Sequence, residues 1–139
     1  MLIRCMPLCA AFVLAGCATQ YQSSGLTGGH VEMKGPPKLE TVLFSANGYT
    51  SAELTQKYAL YRCAEVAKAK GKPYFVMYSS LLAAAHDRPS SAPRVGKALN
   101  KPVATAFVLM LDAPRAGALN TSEVIAELQK IVDSGSLER

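Results

Sequence analysis

Val103-Ala104-Thr105-Ala106-Phe107-Val108-Leu109-Met110-Leu111 is the stretch on which the fold turns, because Thr105 is its single polar residue. The run is far shorter than the roughly 20 apolar residues that a membrane-crossing helix needs. Its β-branched and aromatic side chains favour an extended chain. A strand with so little polar alternation is expected at the centre of a sheet, or covered on both faces.

The chain before this run supplies its partners. Leu39 to Ala46 alternates, with Val42, Phe44 and Ala46 on one side and Thr41, Leu43 and Ser45 on the other, which predicts a first strand. Asn47-Gly48 breaks it, with Gly48 suited to a positive φ. Thr50 and Glu53 have capping-box spacing and predict a helix from about Ser51 to about Lys70, stopped at Gly71. Its stripe of Ala59, Leu60, Cys63, Val66 and Ala67 places Cys63 in the core. Tyr74 to about Leu82 predicts a second strand, and residues 83–101, with Pro89, Pro93 and Gly96, read as a long excursion. Beyond the apolar strand, Asn120 and Glu123 cap a second helix with Val124, Ile125, Leu128, Ile131 and Val132 on one face.

The resulting expectation is an α+β two-layer sandwich, ordered β-α-β-β-α, with both helices on one face of a small mixed three-stranded sheet. A right-handed crossover makes the first two strands parallel, and the third runs antiparallel to the second. Roughly a hundred residues suffice for one core and no more.

The N-terminal residues carry an address. Arg4 precedes an uncharged apolar run, Met6 to Gly16, that closes on Leu14-Ala15-Gly16-Cys17. This layout resembles the lipobox of bacterial lipoproteins. It predicts a signal peptide over residues 1–16, cleavage between Gly16 and Cys17, and acyl chains on Cys17. Ala18, where aspartate often marks inner-membrane retention, points to the outer membrane facing the periplasm. Residues 17–37, rich in Gly, Ser, Thr and Gln and closed by Pro36-Pro37, read as a lipidated cysteine with a flexible tether, leaving 38–139 as the single domain. With Cys5 and Cys9 removed and Cys17 lipidated, Cys63 is the one remaining thiol, so an internal disulfide is excluded.

Asn47-Gly48-Tyr49-Thr50-Ser51, Tyr58-Ala59-Leu60-Tyr61-Arg62-Cys63-Ala64-Glu65, Gly71 and Phe75 together resemble an uncharacterised family of small bacterial lipoproteins. That family couples a lipobox to an N-G-Y-T-S turn, a Y-A-L-x-R-x-A-E helix and a G-x-x-x-F lead into a strand. The likeness spans residues 39–78. It implies an envelope lipoprotein with a compact α/β domain and brings no reaction, substrate or cofactor; the alanine usual at position 63 implies that the thiol is dispensable. A looser likeness in layout is to lipoproteins that sense envelope stress.

Candidate contacts are few. Asn47, Gly48 and Tyr49 sit at a strand end before a helix N-terminus, where backbone N–H groups attract anions. The plainer reading is a turn and cap, with Tyr49 packed on the domain. Arg62 and Glu65 face a partner or form a solvated pair. Tyr58 and Tyr61 are expected on the flank of the helix. His30 and His86 have no ligand-spaced companions, so neither a metal nor another cofactor is expected, and no nucleophile constellation points to an enzyme. Fifteen basic against ten acidic side chains give a net charge of +5. For an exported chain the counterpart is an anionic envelope component rather than nucleic acid. Arg88, Arg94, Lys97 and Lys101 are its best candidate contacts. The expected role is a membrane-anchored, non-enzymatic interaction or structural module that docks an envelope protein or cell-wall component. The alternative is a periplasmic small-ligand binder or stress sensor using residues 47–51.

Overall fold

The computed structural model describes residues 18–25, 28–34 and 38–135. The expected signal peptide, Cys17 and Pro36-Pro37 lie outside the described residues. In chain order the elements are β1 (Gly29–Lys34), β2 (Leu39–Ser45), α1 (Ala52–Ala69), β3 (Tyr74–Tyr78), α2 (Leu81–Ala85), β4 (Arg94–Ala98), β5 (Lys101–Leu111), β6 (Leu119–Asn120) and α3 (Thr121–Gly135). The sheet runs β1-β2-β5-β3-β6, with β4 also paired to β5. Every pairing between these strands is antiparallel.

The small mixed three-stranded sheet expected from the sequence is therefore corrected to a six-stranded antiparallel one. The reason is the length of β5. Its eleven residues serve β2 along one edge, and β3 and β4 end to end along the other. Tyr78 of β3 stands opposite Phe107, while Arg94 of β4 stands opposite Thr105. Strands β2 and β3 run in the same direction, but β5 lies between them, so the α1 connection passes over a strand instead of joining neighbours.

Cross-strand register sorts the side chains. Val42 opposite Ala106, Phe44 opposite Ala104, and Met77 opposite Val108 share one face and are all fully buried. Helices α1 and α3 cover that face, with Ala59, Cys63, Ala64 and Ala67 of α1 at zero exposure. The run of small residues lets the helix backbone approach the sheet closely. Tyr58 and Tyr61, expected at the flank, are buried as well. On the opposite face Leu43, Val103, Phe107 and Leu109 are only half-buried. Double coverage of β5 is thus not what its composition reflects; it is central, and one face stays partly open.

Helix α1 is capped by Ser51, whose hydroxyl accepts from Leu54 N at 3.1 Å, and not by Thr50. It closes at Gly71, whose φ of +67° suits glycine. Asn120 caps α3 as expected from the spacing, its Oδ1 accepting from Ser122 N and Glu123 N. The excursion at 83–101 also needs correction, because it contains the end of α2 and all of β4. A two-residue loop joins β4 to β5, with Leu99 at φ +50° and Asn100 at φ +62°. Positive φ at both central positions is the geometry of the hairpin turn that matches sheet twist.

Candidate functional site

The expected tether is the largest departure from the sequence reading. Thr19 is 1% exposed, and residues 29–34 form the edge strand β1. Two Gly positions permit this return. Gly28 and Gly29 have φ of +109° and +135°, a region closed to most side chains. A Cβ at Gly28 would stand 2.2 Å from the Ser45 carbonyl oxygen, and one at Gly29 2.5 Å from that of Ser23. The segment folds back on itself through Gly25 and Gly28, which exchange backbone hydrogen bonds of 3.0 and 3.1 Å, and His30 N donates to Gln22 O at 2.9 Å.

The residues singled out as possible ligand contacts are what receive this segment. Asn47 N donates to Thr19 Oγ1 at 2.5 Å, and Thr19 N donates to Thr50 Oγ1 at 2.6 Å. Asn47 Oδ1 in turn accepts from Tyr49 N and from the Thr50 hydroxyl. The turn is a clamp whose polar groups are engaged inside the chain. Gly48 is not in the left-handed region, contrary to expectation, and a Cβ there would meet nothing within 4 Å. Tyr49, expected to pack on the domain, is 72% exposed.

Arg62 forms the second attachment point. Its guanidinium donates to Glu65 on its own helix and to Glu32 of β1. The Tyr21 hydroxyl donates to the same Glu65 carboxylate. The solvated pair is thus a half-buried network joining the N-terminal segment, β1 and α1. Burial opposes the Arg62 charge, but the hydrogen bonds to Glu65 and Glu32 outweigh it and hold its pKa above the usual arginine value. Burial, then Glu65, pushes the Tyr21 hydroxyl up, so it remains a donor. The Tyr21 ring stacks on Phe44 with centroids 6.0 Å apart and meets Tyr61 edge-on at 5.2 Å.

His30 sits in this network, its ring 5.3 Å from Tyr21 and its Nδ1 3.8 Å from Glu32. Burial, then the Arg62 charge, lowers its pKa despite Glu32 and Glu65. The unfolded chain therefore takes up the proton first. Stability is full above the ordinary histidine range, near pH 6.5, and is lost as pH falls through the lower folded-state value. Thermal unfolding should show a melting temperature that drops as pH falls through and below the ordinary histidine range, with the drop abolished in His30→Gln. The shifted carboxyls, Glu53 and Asp87, are held below their ordinary range and titrate only at lower pH.

Elsewhere, Cys63 is wholly buried and burial pushes its thiol up, which suits a core residue rather than a nucleophile. No group of three or more His, Cys, Asp or Glu side chains able to hold a metal occurs among the described residues. His86 is exposed. A groove of about 560 Å³ lies between α2 and the open sheet face, lined by Leu81, Arg94, Lys97, Val103 and Phe107, so two of the four expected basic contacts share it. Arg88 lines a separate depression with His86 and Ser90. Lys101 begins β5 beside the hairpin loop.

No protein-family model, no curated protein and no solved structure matches the chain.

Proposed function

We propose that the chain is a membrane-anchored envelope lipoprotein that works as a non-enzymatic interaction or structural module, held through acyl chains on Cys17. The observation that carries this reading is Leu14-Ala15-Gly16-Cys17 at the end of an uncharged apolar run. Among the described residues no helix is long and apolar enough to cross a membrane. Attachment by lipid supplies what that helix would otherwise supply, since each buried methylene contributes about 0.8 kcal/mol and multiple chains make the hold lasting. The partner class is an envelope protein or cell-wall component, and Ala18 favours the outer membrane, facing the periplasm. The small-ligand alternative loses its support because the Asn47–Thr50 turn is occupied by Thr19.

Cys17→Ser should move the protein from the membrane pellet to the soluble fraction on cell fractionation. Retention in the pellet at wild-type level would overturn the reading.

A further inference from the structure

Thr19 limits how far from the domain a lipid on Cys17 can stand. The two residues from Cys17 to Thr19 span at most about 7 Å of chain. Thr19 is clamped by Asn47 and Thr50 at one end of the sheet. There Ala46 N donates to Pro102 O at 3.0 Å, one step beyond the Ser45–Val103 pair. Continued by one residue, the same register sets Asn47 opposite Lys101, beside the β4–β5 hairpin loop. The loop and the clamp therefore lie within about two strand spacings, roughly 10 Å.

This end presents the most exposed large apolar side chain among the described residues. Leu99, at the tip of the hairpin, is 94% exposed, and its φ of +50° places a bulky side chain where Asn or Gly is preferred. Lys97 and Lys101 flank it, both exposed. Tyr49, next to the clamp, is a ring with an apolar body and a polar tip, the type enriched at membrane interfaces. Glu53, in the first turn of α1 and four residues on from Tyr49, is paired to Lys57 at 2.6 Å. An apolar tip between two cations complements an acyl layer beneath anionic headgroups.

We infer that this end of the domain, bearing Leu99, Tyr49, Lys97 and Lys101 around the Thr19 clamp, docks on an anionic phospholipid surface, with Leu99 entering the headgroup layer. The inference rests on the lipoprotein reading and adds an orientation to it. The domain stands with β5 rising from the membrane at Lys101, and Leu111 at the far end is about 34 Å away.

The test uses the mature lipoprotein in vesicles of phosphatidylethanolamine and phosphatidylglycerol carrying a headgroup-level nitroxide quencher. Leu99→Cys, Leu82→Cys and Asp112→Cys each provide an exposed label site for a fluorophore, and buried Cys63 is spared. The expected result is severalfold stronger quenching at position 99 than at 82 or 112. Lys97→Glu combined with Lys101→Glu should relieve the quenching at 99. Protein that stays with the vesicles but is quenched equally or more at 82 or 112, or is unmoved by the double charge reversal, overturns the docking and leaves the anchor standing. Protein that does not sediment with vesicles overturns both.

Discussion

Phe44→Ala should lower the unfolding free energy by about 3–5 kcal/mol, the largest loss expected from any side-chain truncation on the β2 surface. Phe44 is fully buried and stands on the helix face opposite Ala104, which is too small to fill the space it would vacate. Its ring contacts Tyr58 at 5.3 Å and Tyr21 at 6.0 Å, so one truncation weakens both the α1 packing and the seat of the N-terminal segment. Aromatic pairs contribute about 0.5–1.5 kcal/mol beyond the area they bury. Urea unfolding followed by circular dichroism measures the loss. A cost under about 1 kcal/mol, the scale of a volume-conserving apolar exchange, would mean that the core relaxes around the cavity and that the aromatic cluster is not a keystone.

Gly28→Ala should have an effect of similar size but a different form. Holding alanine at the native φ costs on the order of 1–3 kcal/mol. The Cβ would also overlap the Ser45 carbonyl oxygen at 2.2 Å and press on the Thr19 methyl group. Backbone in a paired strand cannot yield that distance, so the segment must leave the sheet. The cost therefore saturates at the free energy that docks residues 18–34. Amide hydrogen exchange should show protection lost across β1 and at the clamp, while β3 and β5 keep theirs. Gly48→Ala is the internal control, having open space and no left-handed backbone, and should change stability by less than about 0.5 kcal/mol. Retained β1 protection in Gly28→Ala would show that the return can be made without glycine.

The elements legible in the sequence are those buried on one side with an unbroken period. β2 alternates, α3 carries an apolar stripe, and β5 is too apolar to be an edge. β1 breaks the pattern for a physical reason. Its helix-face positions are His30 and Glu32, opposite Phe44 and Val42, and they cover the sheet margin without being apolar, Glu32 by pairing with Arg62 and His30 by setting its ring beside Tyr21. β4 is hidden by Gly96, and its hairpin uses Leu99-Asn100 where Asn-Gly is the familiar signal.

The candidate site was half legible in the same sense. Asn47 and Arg62 stand out in the sequence, but their partners Thr19 and Tyr21 belong to a stretch whose composition argues for an unstructured linker. Glycine is ambiguous there. The same residue that loosens a chain also permits the positive φ by which Gly28 and Gly29 fold it back. The available signal was the Gly-Gly pair directly before the polar–apolar alternation of His30-Val31-Glu32.

The placement of β5 has a consequence for how the domain comes into being. Leu39 must find Leu109, and Ser45 must find Val103, so β2 has its inner neighbour only when nearly the whole chain is present. Strand β3 waits for the same neighbour. As the chain grows from its N-terminus, the β1–β2 hairpin and α1 exist with no sheet to rest on. Pairings so distant along the chain make folding slow and leave apolar edges bare in the interval. A chain stopped before Lys101 is therefore not a smaller version of this domain but a sheet without its middle.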